Sequence, residues 1–376
     1  MISTLKKNIL NVQGWTTKRK IVVIESDDWG SVRMPSKETY KKLLKKGYNV
    51  NNDPYLKYDS LATTEDLSHL FDVLSSIKDK NKHSPIITAN TIVANPDFKK
   101  IRSSNFESYF FEPFLETLSR YKGCDKSFDL WNEGIDSGLF LPQFHGREHL
   151  HVAQWMKALQ ENDKNILEAF DNEMISISSE PSSMKFSYME GMDFFNENEK
   201  VSRKEIIEEG LTSFENIFKY KSLSYIANCY IWDDYIEEIL SNKGVNYIQG
   251  VRIQKKPIVE GLTHRYQFKS NYLGKLNKFN QLYLVRNVHF EPSHYPNNDI
   301  IYDCLKEISI AFRWNKPVII SSHRINFIGA IDVNNRIRNL KLFHDFLINI
   351  IKKWPDVEFM SSTELGDLIK NSKNDQ

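Results

Sequence analysis

Two aspartates and three histidines, spread over three stretches of the chain, could carry hydrolytic chemistry. Asp27 and Asp28 stand side by side after Lys20-Ile21-Val22-Val23-Ile24-Glu25-Ser26, a run rich in apolar β-branched residues that reads as a buried strand stopped at Gly30. Neighbouring carboxylates repel when buried unless a cation or a shared proton compensates them. Strand side chains alternate, so the two would diverge unless the strand ends between them, in which case both reach one pocket. His145 and His149 have the four-residue spacing that sets two side chains on one side of a helical turn. Two imidazoles and one carboxylate make the three-ligand site of a catalytic metal, with a fourth position left for water. His323 follows Ser321-Ser322 at the end of another strand, and an imidazole there can protonate a leaving group near neutral pH. Each feature alone has an ordinary explanation: a helix cap and a solvated charge, a chance spacing, a structural histidine. Their arrival at the ends of different strands is what joins them.

Those strands come at intervals along the whole chain. Ser84–Asn90, Gly138–Phe144, Leu223–Ala227, Val245–Gly250, Gln281–Phe290, Pro317–His323 and Val357–Met360 all read as strands. Between them lie helical stretches: 31–52 with a lysine-rich face, Thr63–Lys80 with Asp66 completing a capping box, residues 152–159, a run through Ile236 and Leu240, residues 305–312, and a long one through Ile337 and Ile351. Ser361 and Glu364 form a second capping box before a terminal helix. Alternating strands and helices require a parallel sheet, so the expectation is an α/β fold, a deformed (β/α)7-type barrel of parallel strands in one domain spanning 1–376. Residues 160–220, highly charged and mostly helical in pattern, and 251–280 read as insertions. Ligands bind at the C-terminal ends of parallel strands. Trp29, Asn90, Asn228, Tyr230, Arg286, Glu291 and Arg324, at or just past those ends, are therefore the candidate substrate contacts.

Composition narrows the setting. The 50 Lys+Arg against 49 Asp+Glu leave a net charge of +1, which argues against nucleic acid or an anionic membrane as a bulk partner. The 3 cysteines share no metal-site spacing, so a reducing compartment fits. Met1 to Trp15 has no apolar core of signal-peptide length, and no apolar run is long enough for a membrane span. The expected location is cytoplasmic.

The order strand–Asp-Asp, strand–His-x-x-x-His, strand–His resembles the polysaccharide deacetylase family, carbohydrate esterase family 4, from about Ile21 to Leu368. Ser26-Asp27-Asp28 is similar to its Thr-Phe-Asp-Asp motif, His145-Gly146-Arg147-Glu148-His149 to its His-Ser/Thr-x-x-His motif, and Ile320-Ser321-Ser322-His323 to its closing Leu-x-His. The resemblance implies Asp27 as base, Asp28, His145 and His149 as ligands of one divalent metal, and His323 as acid. It also implies removal of an acetyl or other acyl group from an N-acylated sugar or polysaccharide precursor. The donor set suits zinc first, with manganese, cobalt and nickel as alternatives. Two family motifs are absent: no Arg-x-Pro-Tyr stands at Tyr225–Tyr230, and no Asp-x-x-Asp-Trp follows the fifth strand. Arg286 and Glu291 are the residues expected to replace the groups that tether the base and orient the acid. A backbone N–H at Cys229 or Tyr230 is expected to hold the oxyanion.

Three other readings compete. His145-x-x-Glu148-His149 matches an inverzincin-like metallopeptidase with Glu148 as base, and His149-Leu150-His151 could pair as in amidohydrolase barrels. A catalytically inactive glycan-binding barrel would account for the two absent motifs, and would have no reason to hold stoichiometric metal.

Overall fold

The computed structural model describes residues 7–177, 188–261 and 263–374. Its strands in chain order are β1 (Lys20–Trp29), β2 (Ile87–Ile92), β3 (Ala94–Pro96), β4 (Phe111–Pro113), β5 (Phe140–Gly146), β6 (Ser224–Ile226), β7 (Tyr247–Gly250), β8 (Ile253–Glu260), β9 (Thr263–Ser270), β10 (Leu282–Val285), β11 (Val288–His289), β12 (Val318–His323) and β13 (Val357–Met360). Nine of them form one sheet in the order β10-β7-β6-β5-β2-β1-β12-β11, with β13 also on β1, and every pairing in it is parallel. This is the barrel-like α/β architecture that the alternation of strands and helices predicts.

The expected single strand Gln281–Phe290 is divided. Its first part pairs with β7 as β10 and its second with β12 as β11, so the two ends of the sheet order are joined by Arg286 and Asn287 alone. Arg286 N–H donates to the Gly250 carbonyl and Asn287 N–H to that of Ile319, at 2.9 and 3.1 Å. The chain thus changes partner strand at Arg286, and the guanidinium is delivered to the barrel interior.

β1 is the central strand. Its first half lies beside β13, its second beside β2, and β12 follows its other edge from Val22 to Asp27. Helices pack on the outside through apolar stripes. Thr64–Ser75, for example, buries Leu67, Leu70, Phe71 and Leu74, and starts at the Thr63–Asp66 capping box. The Ser361–Glu364 box is formed as well, by reciprocal bonds of 2.7 and 3.3 Å. The lysine-rich stretch forms a shorter helix than expected, Lys37–Lys45. Within 160–220, Glu197–Phe218 is a long helix packed on β5. Within 251–280, β8 and β9 form an antiparallel hairpin. Among the described residues no helix is long and apolar enough to cross a membrane.

Candidate active site

β1 does not end between its two aspartates; it continues to Trp29, and a bulge solves the alternation problem instead. The register against β2 shifts between Ser26 and Trp29, and Asp28 takes a left-handed backbone, φ 71°. A bulge re-aims one side chain without ending the strand, and strain of this kind in a non-glycine residue costs about 1–3 kcal/mol. Both carboxylates consequently line one cleft at the strand ends, with a volume of about 390 Å³.

The helical-turn argument for His145 and His149 is also replaced. His145 lies on β5, the following helix begins only at Val152, and the turn between them is irregular. Gly146, φ 134°, makes the turn; a side chain there would strain the backbone as well as crowd the Glu148 carbonyl. The result still converges. Ligand atoms of Asp28, His145 and His149 lie within 4.8 Å of one another, and each Nε2 is 3.4 Å from Asp28 Oδ1. His145 Nδ1 donates to the Ile226 carbonyl at 2.9 Å, which turns its Nε2 towards the carboxylate. Burial pushes the His149 imidazole down to about 3, Arg33 and His145 adding to the effect against Asp28, so this ring is neutral, as a ligand must be. Burial would raise Asp28, but Arg33 and then His149 hold it well below the carboxylate range. Two imidazoles, each with Nε2 turned towards an ionised carboxylate, and all three groups buried, fit a divalent metal.

Asp27 is held on its far side by Arg286, through Nη1 to Oδ2 at 2.7 Å and Nη2 to Oδ1 at 2.6 Å. Asn90 Nδ2 donates to the same Oδ1 at 2.7 Å. Burial works to raise this carboxyl, yet the Arg286 charge and its hydrogen bonds prevail and bring it to about 2. Arg286 Nε donates to Glu25 at 2.6 Å, and Glu25 takes a further bond from Ser362 at 2.8 Å. Across the cleft, His323 Nε2 is 3.8 Å from Asp27 Oδ2, while its Nδ1 donates to Glu291 at 2.6 Å. Asn326 fixes the other Glu291 oxygen at 2.7 Å. Burial opposes charge on His323, but Glu291 and then Asp27 outweigh it and raise the imidazole to about 9. The group is therefore protonated at neutral pH.

The candidate substrate contacts divide. Tyr230 lines the cleft, and its hydroxyl accepts from Arg286 at 3.1 Å. Cys229 and Tyr230 both have positive φ, 54° and 58°. The Tyr230 N–H donates to the Ala227 carbonyl at 3.0 Å and is not available to an oxyanion. Asn90 and Arg286 hold Asp27, Glu291 holds His323, and Asn228 holds the His145 carbonyl at 3.1 Å, none of the four lining the cleft itself. The last two point away from the site. Trp29 turns into the core: it is 1% exposed, bonded to Ser26 Oγ, and packed edge-on against Phe140 and Trp131. Arg324 is spent on Asp59 with two bonds of 3.1 and 3.0 Å. Neither lines the cleft. Glu148 is gripped by Arg147 at 2.6 Å through both oxygens and is absent from the cleft, which removes the peptidase reading's base. His151 caps the helix Val152–Gln160 instead of pairing with His149.

Glu25, Arg33 and Tyr55 were not anticipated. A glutamate inside an otherwise apolar strand was a usable signal for Glu25. Arg33, 3.1 Å from Asp28 Oδ2, and Tyr55, edge-on to His323 at 5.8 Å, come from loop geometry that no pattern encodes.

No family model matches the chain, and no curated protein does. Among solved structures, one described as a polysaccharide deacetylase from Mycobacterium smegmatis aligns over 96% of this chain and 94% of its own, at 9% identity and TM-score 0.45. Puue allantoinase aligns over 94% and 91%, at 10% identity and TM-score 0.46. Another described as a polysaccharide deacetylase, from Pseudomonas aeruginosa PAO1, aligns over 93% and 91%, at 8% identity and TM-score 0.45.

Proposed function

We propose that the chain is a metal-dependent hydrolase that removes an acyl group, acetyl first among them, from the nitrogen of an amino sugar or polysaccharide precursor. The observation that carries this reading is the pairing of Asp27 and His323, 3.8 Å apart and oppositely charged, beside the buried Asp28–His145–His149 group. Those three residues would hold one divalent cation, zinc first, which when bound supplies Lewis-acid polarisation of an amide carbonyl and acidification of water. That acidification matters, because a carboxylate held at about 2 is by itself a weak base.

The protein's own groups do the rest. Asp27, locked by Arg286 and Asn90, takes a proton from the water whose oxygen bonds to the carbonyl carbon. The oxyanion contact expected from the 227–230 loop narrows to the Cys229 N–H, since that of Tyr230 is engaged. As the C–N bond breaks, His323 Nε2 gives its proton to the departing nitrogen, while Glu291 on Nδ1 holds the ring in place. Water is consumed and a carboxylic acid and a free amine leave. In this scheme Arg286 and Glu291 fill the roles of the two absent family motifs from another strand.

The test is acetate release by zinc-reconstituted protein from a panel of N-acetylated nucleotide sugars and oligosaccharides. Release that disappears on chelation and returns with metal supports the reading. Release that ignores chelation, or stoichiometric metal with no release from any N-acyl sugar, contradicts it.

A further inference from the structure

Tyr55 reaches the cleft on a short helix, Pro54–Tyr58, whose start is set by sequence: Asp53 caps it and Pro54 opens its first turn. Leu56 anchors the helix in an apolar cluster with Met34, Leu43 and Val50. Two groups of the site hold the Tyr55 ring. The Arg33 guanidinium, which bonds Asp28 at 3.1 Å, lies over the ring at 5.3 Å from its centre. His323 meets it edge-on at 5.8 Å and 82°. His294 adds a third contact at 4.8 Å and 68°. The ring therefore adjoins both the holder of a metal-site carboxylate and the proposed acid, and it lines the same cleft as they do.

Its hydroxyl is unspent. Among the described residues Tyr55 hydrogen-bonds through its backbone alone, its N–H donating to Asp53 at 2.9 Å and its carbonyl accepting from Asp59 N–H at 3.1 Å. Burial, and after it the Asp28 charge, hold the phenol well above its ordinary range, so the oxygen keeps its proton. A phenol that stays neutral is no base; it serves as a donor to an oxygen that gains negative charge. The reaction proposed above produces such an oxygen when water adds to the acyl carbonyl. A bond that strengthens as that charge develops accelerates the step, whereas one equally strong in the bound substrate does not. The 227–230 loop supplies only the Cys229 N–H for this purpose, since that of Tyr230 is engaged.

We propose that Tyr55 is a further catalytic residue, whose hydroxyl donates to the carbonyl oxygen of the N-acyl group as that oxygen becomes anionic. The inference deepens the hydrolase reading of the same site and rests on it.

The test is Tyr55→Phe, which removes the oxygen and keeps the ring. On an N-acetylated sugar that the original protein turns over, kcat is expected to fall about 10²–10³-fold, the usual cost of one oxyanion donor, with KM nearly unchanged. Zinc content and the urea midpoint are expected to match the original. A second measurement needs no turnover: methylphosphonate, a tetrahedral anion, is titrated calorimetrically into both zinc-reconstituted proteins. Its Kd is expected to be about tenfold higher for Tyr55→Phe, the low end for a lost hydrogen bond to a charged group. An unchanged kcat, a loss confined to KM, or an unchanged affinity for methylphosphonate overturns the inference and leaves the hydrolase reading intact. Loss of metal or of stability in Tyr55→Phe also overturns it, because the hydroxyl would then be structural. An original protein that releases no acetate contradicts the hydrolase reading instead, and the methylphosphonate comparison still decides whether the hydroxyl meets a tetrahedral anion.

Discussion

Arg286 and Arg324 each grip an aspartate with two nitrogens in the interior, Arg286 on Asp27 at 2.6 and 2.7 Å and Arg324 on Asp59 at 3.0 and 3.1 Å, and neither guanidinium is exposed. By composition, burial and hydrogen-bond pattern the two pairs are near copies. Their carboxyls nevertheless move in opposite directions. Asp27 is drawn down to about 2, because Arg286 and its hydrogen bonds together with His323 outweigh burial. Asp59 is raised, because burial prevails over Arg324 and the neighbouring Asp28 adds to it. Asp27 also faces the cleft and a protonated imidazole, whereas Asp59 lines no part of it. A buried ion pair by itself therefore marks structure as readily as chemistry. What separates the two is a second titratable group across open space.

The comparison breaks most sharply at the aspartates. Asp27→Asn and His323→Ala should each lower kcat by about 10²–10⁴-fold, the usual cost of removing a general base or acid. Steady-state kinetics on Asp59→Asn should instead give a kcat close to the original once corrected for the folded fraction. Equal losses in Asp27→Asn and Asp59→Asn would erase the distinction.

Arg324→Met should act on stability. Leaving Asp59 buried and unpaired costs about 3 kcal/mol, the low end of the range for a broken buried pair, because Arg33 Nε remains 3.8 Å away. Urea denaturation measures it, and an unchanged midpoint would show that the pair contributes nothing. Metal acts on the other pair's neighbour: at a free concentration 100 times its Kd, a divalent cation should stabilise the protein by about 2.7 kcal/mol. Asp28→Asn should lose most of that increment, and Asp59→Asn should keep it.

The smallest effect sharpens the role of Glu291. With His323 as the proposed acid and its pKa raised to about 9, activity should persist at neutral pH and fall as the pH rises through that value. Glu291 is the leading attractive contributor to that elevation, so Glu291→Gln should move the alkaline limb of kcat/KM to lower pH. A limb that stays in place would assign it to another group.

The sequence made the sheet legible because strand and helix periods differ, and because its capping boxes fall at true helix starts. It placed Asp27, Asp28, His145, His149 and His323 at strand ends for the same reason. How those side chains converge was not legible. The Asp28 bulge depends on register against β2, and the His145–His149 turn depends on Gly146, neither of which a helical or strand period describes. Trp29 and Arg324 show the complementary error: proximity in sequence to a strand end does not say which way a side chain points. Arg286 follows from the absent family motifs, since a group that tethers Asp27 has to come from another strand end. Arg33 and Tyr55 needed the fold, since their loops bring them back over the site from positions with no pattern.

Elemental analysis of the purified, metal-reconstituted protein and its Asp28→Ala, His149→Ala and Asp27→Asn variants is the most direct test of the central claim. The expected result is one divalent metal per chain in the original and in Asp27→Asn, with substoichiometric metal in Asp28→Ala and His149→Ala. A chain that binds no stoichiometric metal, or an Asp28→Ala variant that retains it in full, would contradict the account.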